Sequence, residues 1–414
     1  MAFQRAQVAT LLSRLEERPH HILAVFGPRQ TGKTTLVQQA LRQTSRPTRH
    51  LRLDEVDAGD AASPEAEATP RMPRKPDTEW LVNAWMAARE DAGAHPRGLV
   101  LALDEIQAIP DWSSTVKGLW DRDRADGRQM HVVVLGSAPL LMQSGLTESL
   151  AGRFEPIRVT HWSFSEMADA FNFDLAEYIY FGGYPGSARF IREEDRWRDY
   201  ILGALVQPNI EKDVLAMTRV DKPALLKQLF ELGADYSGQV LPYNKMLGQL
   251  QDAGNTTTLA RYLELLSTAG LLAGLPKYIP SHHRARATSP KLNVLNTGLM
   301  TANSGYTFAE AQADRGFWGR LVETAVGAHL LNTMPNNVRA YYWRERTDEV
   351  DFVLRRGRRS VAIEVKSGSR SRQLTGMDAF VKAFNPHGTV LVGRDGTPLE
   401  EFLDSPVARW FGDA

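Results

Sequence analysis

The sequence predicts an α/β chain: a parallel sheet at the front, a mostly helical middle, and a second α/β region at the back. Three observations carry this. Short apolar runs at Ile22–Phe26, Leu99–Leu103 and Val132–Leu135 alternate with stretches of helical periodicity, the pattern of strands buried on both faces by helices. From 161 to 275 apolar residues recur mainly at helical spacing. Strand-like runs return at about 340–366 and 388–393. The chain has 414 residues, too many for one core, so two to four domains are expected.

Element by element, Val8, Leu11, Leu12 and Leu15 mark a first helix over 6–17, and Ile22–Phe26 is a buried strand ending at Gly27. Leu36–Leu41 reads as helix and Leu51–Leu53 as a second strand. Residues 57–79, rich in Ala, Pro, Asp and Glu, read as an exposed loop, and Trp80–Ala88 returns to helix. Composition excludes several chemistries. Apolar content is 43% and charged content 24%, ordinary for a globular protein. Lys plus Arg equals Asp plus Glu at 49 each, so only a local patch could select a polyanion. There is no cysteine, which removes disulfides, thiolate zinc sites and thiol catalysis and fits a reducing cytoplasm. No run of 18 apolar residues and no signal-peptide start are visible, so a cytoplasmic protein without membrane contact is expected.

The segment Gly27-Pro28-Arg29-Gln30-Thr31-Gly32-Lys33-Thr34, followed by Thr35, matches GxxxxGK[ST] between an expected strand and an expected helix. Glycines let backbone N–H groups curl around phosphate, and the helix N-terminus adds its dipole. Lys33 would reach the β- and γ-phosphates of ATP, and the Thr34 hydroxyl would bind Mg2+. The strand Leu99–Leu103 ends on Asp104 and Glu105. Asp104 would hold the magnesium and Glu105 would polarise the attacking water. Ser137, after the next strand, can lie between the γ-phosphate and Glu105; Gly-Ser there also serves as a plain turn.

With Gly152-Arg153-Phe154-Glu155 next in order, the chain resembles the AAA+ ATPases. The resemblance implies that Arg153 is an arginine finger reaching a neighbouring subunit, and that the active form is a ring, a hexamer being favoured. Gly182-Gly183-Tyr184-Pro185 resembles the Gly-x-Pro turn of signal-transducing relatives. That implies nucleotide sensing by Gly183 and Pro185, with Arg189 as a second sensor. A helix-connecting turn is the alternative.

Leu225, Leu226, Leu229 and Phe230, then Tyr243–Leu250, then Thr258–Leu266, then Leu271–Leu275 suggest three short helices and an extended piece, as in a winged helix. Leu259, Tyr262, Leu263 and Leu266 form its apolar stripe. Thr256, Thr257, Thr258 and Arg261 stand where DNA contacts would fall; winged helices also dock proteins.

At the back, Asp351–Leu354 and Val361–Lys366 flank Arg355-Arg356-Gly357-Arg358-Arg359. A hairpin symmetric about Gly357 pairs Asp351 with Glu364 on one face, and Lys366 shares that face. Facing carboxylates need a compensating charge, and a divalent cation would supply it. A solvated hairpin is the alternative. The residues resemble the PD-(D/E)xK nucleases, which implies a possible nuclease set of Glu323, Asp351, Glu364 and Lys366, with Asp351 and Glu364 as metal ligands; a degenerate, non-cleaving version of the same fold is a further alternative. Val350 replaces the usual proline. From Arg339 to Arg372 there are ten Lys or Arg against five Asp or Glu, a local excess that favours a polyanion.

Through GPRQTGKTT, LALDEIQ, SLAGRFE, FGGYP, NTGL, EVDFVL and AIEVKS the whole chain is similar to a large prokaryotic family of AAA-type ATPases fused to a C-terminal domain of unknown function. Asn296 stands where relatives have Asp. The expected division is 1–160 ATPase core, 161–215 helical lid, 216–280 winged helix and 281–414 PD-(D/E)xK-like domain. The expected function is a ring-forming ATPase that remodels forked or branched DNA. A nucleotide-gated switch controlling a nuclease, or a protein-remodelling ATPase, are the alternatives.

Overall fold

The structure, a computed structural model, describes residues 3–53, 76–136, 142, 146, 149–214, 222–252, 254–279, 288–366, 368 and 375–412. The expected loop at 57–79 falls mostly outside them, and so does Ser137. The chain divides into two compact units, one ending at Val159 and one starting at Thr160.

The first unit is a five-stranded, wholly parallel sheet: β1 Ile22–Phe26, β2 Thr48–Arg52, β3 Leu99–Asp104, β4 Met130–Gly136 and β5 Phe154–Arg158. Their spatial order is β2-β3-β4-β1-β5. Side chains alternate across the sheet, and both faces are apolar. Ile22, Ala24, Leu99, Leu101, Val132 and Val134 pack on one side with Leu81, Trp85, Trp112 and Trp120 from the helices Thr78–Ala94 and Trp112–Ala125. Leu23, Val25, Val100, Ala102, Val133 and Leu135 pack on the other with Leu11, Leu15, Leu36 and Val37 from Ala6–Glu16 and Lys33–Gln43. Burial on both faces explains why these strands read as unbroken apolar runs. Strand β5 was not expected. It is an edge strand with a single buried residue, Ile157, so it carries no apolar run to read.

The second unit begins with helices. Pro223–Asp235, Tyr243–Gln249 and Thr256–Thr268 lead into β6 Leu272–Leu275, which pairs antiparallel with β7 Lys291–Val294. The apolar residues expected to face inward here, from Leu225 to Leu266, are buried. The helix Arg315–Thr333 then crosses to a four-stranded sheet of β8 Val338–Glu345, β9 Asp348–Arg356, β10 Arg359–Lys366 and β11 Gly388–Gly393, in the order β11-β10-β9-β8. Strands β8, β9 and β10 run antiparallel, and β11 joins parallel to β10. Val350 is fully buried with Trp343, Val353 and Phe380, which accounts for an apolar residue at that position. No helix among the described residues is long and apolar enough to cross a membrane.

Candidate functional site

In the first unit β1 delivers the chain into a tight loop. A Cβ on Gly27 would lie 1.8 Å from the Val159 carbonyl oxygen, so only glycine leaves the strand here. Gln30 at φ 59° and Gly32 at φ 86° are left-handed and fold the loop back on itself. Thr31 Oγ1 donates to the Pro28 carbonyl at 2.9 Å, and Arg5 Nη1 donates to the Thr31 carbonyl at 3.2 Å. Lys33 opens the helix and returns into the loop, its Nζ donating to the carbonyls of Gly27 at 2.9 Å and Pro28 at 2.6 Å. No side chain caps this helix and no acid lies in its first turn, so its N-terminal N–H groups suit an anion. Arg29 is half-buried on the loop, and Thr35 is exposed in the first helical turn.

Strand β3 brings its acids to the same edge. Thr34 Oγ1 donates to Asp104 Oδ2 at 2.8 Å, although the two are 70 residues apart. His50 Nε2 lies 3.7 Å from that oxygen. Burial pushes the Asp104 carboxyl up, but His50, Thr34 and the Glu105 backbone outweigh it and hold it below the usual carboxylate value. Glu105 is left-handed at φ 56°, an uncommon state for a side-chain-bearing residue, and accepts from Gln107 Nε2. A hydroxyl beside an ionised carboxylate is the hard oxygen pair that suits Mg2+. The residues therefore fit a magnesium nucleotide. Sequence reading gave no role to His50, Gln107 or Arg5, although Gln107 closes the LALDEIQ string.

Arg153 immediately precedes β5, and its carbonyl accepts from Ile22 N at 2.8 Å. Its guanidinium binds both oxygens of Asp121 at 2.8 and 3.1 Å. That pair is partly exposed.

Residues 19–168 match a family described as "AAA domain". The first unit is an AAA-type P-loop domain. Beyond the AAA domain, residues 172–309 match "Domain of unknown function (DUF8612)" and residues 318–403 match "Domain of unknown function (DUF4143)". An uncharacterized protein of Mycobacterium tuberculosis is 26% identical over 373 residues, 89% of this chain and 75% of the relative. One from Haemophilus influenzae is 25% identical over 209 residues, 48% of this chain and 50% of the relative. Among solved structures, a Thermotoga maritima RuvB Holliday junction branch migration motor is 16% identical, with a TM-score of 0.31 over 66% of this chain and 90% of that one. That likeness is too low to carry an argument.

In the second unit the turn at 182–185 is tied down by its own packing. Gly182 is left-handed at φ 73°, and a Cβ on Gly183 would lie 2.1 Å from the Trp162 carbonyl oxygen. Gly183 N donates to Asn296 Oδ1 at 3.3 Å, and Asn296 also caps the helix Thr297–Ser304 through Gly298 N. Pro185 is half-buried; Arg189 is exposed and lies over the Phe190 ring.

The hairpin register of β9 and β10 is Val361 with Leu354, Ala362 with Val353 and Ile363 with Phe352. The register ends there, and beyond it the Asp351 side chain reaches the backbone of β10. Asp351 Oδ2 accepts from Val365 N at 2.8 Å, and Lys366 Nζ donates to Glu364 Oε1. Glu323 arrives from the helix Arg315–Thr333. A Cβ on Gly327 would lie 2.1 Å from Asn293 Oδ1, so that glycine lets the helix sit close on β7. One turn earlier, Glu323 meets Lys291 at the start of β7. Lys291 is fully buried, and its Nζ lies 3.6 Å from Asp351 Oδ1 and donates to the Asp351 carbonyl at 3.1 Å. Lys291 thus pairs with Glu323 and Asp351, and Lys366 with Glu364; sequence reading missed Lys291. Its only sequence signal is a cation opening a short apolar run, and many surface lysines share it.

Burial, and then the Asp351 charge, push the Glu323 and Glu364 carboxyls up to about 7. Burial works against the Lys291 ammonium, but Glu323 and Asp351 outweigh it and raise its value. Among the described residues no three His, Asp or Glu converge as a metal would need. Beside Lys366 opens a cavity of about 760 Å³, lined by Ile179, Trp318, Val322, Arg394 and Leu399 among others.

Proposed function

We propose that this chain is a magnesium-dependent ATP hydrolase that works as a ring, a hexamer being favoured, and couples turnover to binding and remodelling forked or branched DNA. The observation that carries the ATPase part is the 2.8 Å contact of Thr34 with Asp104 beneath a loop whose lysine is already turned inward. The backbone of Gly27–Thr34 and Lys33 hold the phosphates. Thr34 and Asp104 hold the magnesium, which neutralises charge on the phosphates. Glu105, aimed by its left-handed backbone, orients the attacking water, and Ser137 polarises the γ-phosphate. Arg153 completes a neighbour's site, exchanging its Asp121 partner for phosphate. These separate jobs match what phosphoryl transfer asks of a protein, positioning and charge stabilisation.

The DNA part is supported by the succession of three helices and a strand pair from Pro223 to Val294, the element order of a winged helix, and by exposed Arg358 and Arg359 at the β9–β10 turn. The test is the ATPase rate with no DNA, single strands, duplex and forked DNA, together with binding at rising salt. Stimulation greatest on the fork, and affinity falling steeply with salt, are expected. No stimulation and no binding at low salt would leave a protein-remodelling ATPase.

A second reading, a nucleotide-controlled switch, is favoured by the turn at Gly183 and Pro185. Its bond to Asn296 ties it to the helix Thr297–Ser304. Under that reading Pro185→Ala uncouples partner response from ATP turnover, whereas under the remodelling reading both change together.

A further inference from the structure

The acids of the C-terminal sheet fit a divalent cation poorly. Such an ion gathers several carboxylate, carbonyl or water oxygens at about 2.0–2.6 Å and tolerates no ammonium among them. Here most of the oxygens are engaged. Asp351 Oδ2 accepts from Val365 N at 2.8 Å, Asp351 Oδ1 faces Lys291 Nζ at 3.6 Å, and the Asp351 carbonyl accepts from the same ammonium at 3.1 Å. Glu323 is ion-paired to Lys291, and Glu364 Oε1 to Lys366. Glu364 Oε2 remains, buried and without a hydrogen-bond partner. An added dication would meet two ammonium groups at short range.

Lys291 is built into this place. It is fully buried, and its Nζ lies 4.7 Å from the Phe352 ring centre. Gly327 lets the helix carrying Glu323 close onto β7. An ammonium withdrawn from water this completely is retained only where paired anions surround it. Lys366, by contrast, is part-exposed and lines the cavity beside the cluster.

We propose that the Lys291 ammonium occupies the place of a divalent cation and, together with Lys366, supplies its charge, so that this site assembles without metal and cuts no phosphodiester. Lys366 is then the one cation of the cluster that faces the cavity, and it serves to bind an anion rather than to activate water. The inference concerns the second unit alone, and failure of the ATPase reading would leave it standing.

The test is Mn2+ uptake by the full chain without nucleotide, followed by electron paramagnetic resonance, in wild type, Asp351→Asn, Lys291→Met and the double variant. Any Mn2+ at the phosphate-loop end of β3 is common to all four and cancels in the comparison. Wild type and Asp351→Asn should bind alike. Lys291→Met should take up one further Mn2+ at least tenfold more tightly than wild type, and Asp351→Asn should erase the gain. Wild-type uptake that Asp351→Asn removes overturns the proposal, as does Mn2+-dependent nicking of DNA that Asp351→Asn stops. Folded Lys291→Met without any gain also overturns it. If Lys291→Met does not fold, the comparison of wild type with Asp351→Asn still decides, supporting the proposal when the two agree.

Discussion

Two buried lysines solve the same problem in different ways. Lys33 is held by backbone carbonyls within six residues of itself, on a loop whose shape its glycines dictate. Lys291 is held by Glu323 and Asp351, which reach it from a helix and a strand far along the chain. The first arrangement forms wherever the local sequence forms. The second exists only once β7, the helix Arg315–Thr333 and β9 have packed. The first ammonium is bound by neutral dipoles and can exchange them for phosphate. The second neutralises fixed charges and cannot leave without stranding them.

Substituting both lysines alike gives the widest test of this contrast. Lys33→Ala should lower ATP turnover by roughly 10²-fold or more, since a fixed charge aimed at the phosphates is lost. Its melting temperature should stay within a few degrees of wild type. Lys291→Ala should destabilise the second unit by about 3–5 kcal/mol, the cost of leaving buried carboxylates uncompensated. Melting curves beside fluorescent-nucleotide titrations separate the two. Similar losses of stability in both variants would erase the distinction. At the same nucleotide site, Glu105→Gln should keep nucleotide binding and lose hydrolysis.

Arg153 sharpens the comparison, because its present partner lies in its own unit and its proposed one in a neighbouring subunit. Arg153→Ala should leave nucleotide affinity intact and lower turnover by roughly 10³–10⁵-fold, the range for arginine fingers. Mixing it with Glu105→Gln should restore part of the activity at shared interfaces. A protein that stays monomeric at every ATP concentration would remove this role.

The two units should also answer acid in opposite directions. His131 is held down at about 4, by burial first and then by the Arg46 charge. Its unfolded form takes a proton below about 6.5, so the first unit loses stability as pH falls from about 6.5 towards 4. Glu323 and Glu364 are raised to about 7. The folded state therefore binds protons that the unfolded chain takes up only near 4.5, so these two carboxyls add stability to the second unit as pH falls from about 7 to that value, while His329, held down by burial, contributes the opposite sign. Hydrogen exchange at β4 and at β9, compared at pH 7.5 and 5.5, reads the two slopes separately. His131→Gln should flatten the first and Glu364→Gln the second. Slopes of one sign in both units would contradict the assignment.

The smallest effect is expected at Asn296. Asn296→Asp keeps an oxygen that can cap Gly298 and accept from Gly183 but gives up the buried Nδ2 contact with His161 Nδ1, so it should cost about 1 kcal/mol. Asn296→Ala, which removes the cap, should cost about 1–2 kcal/mol in chemical denaturation.

Sequence alone determined the AAA domain's working parts. A phosphate loop is backbone shape, and Gly27, Gly32, Lys33 and Thr34 specify that shape within a few residues. The β9–β10 hairpin was also legible, because a turn about Gly357 fixes the register of Val361 with Leu354 and Ile363 with Phe352 on either side of it. Tertiary structure alone decided the rest. His50 joins the site through strand order and Gln107 through the turn after β3, and nothing in the sequence gave either a role there. Arg153 found Asp121 on a helix no spacing rule connects to it. Lys291 was invisible for the plainest reason: nothing in a sequence says which lysine will be taken out of water, since that depends on which distant carboxylates arrive to surround it.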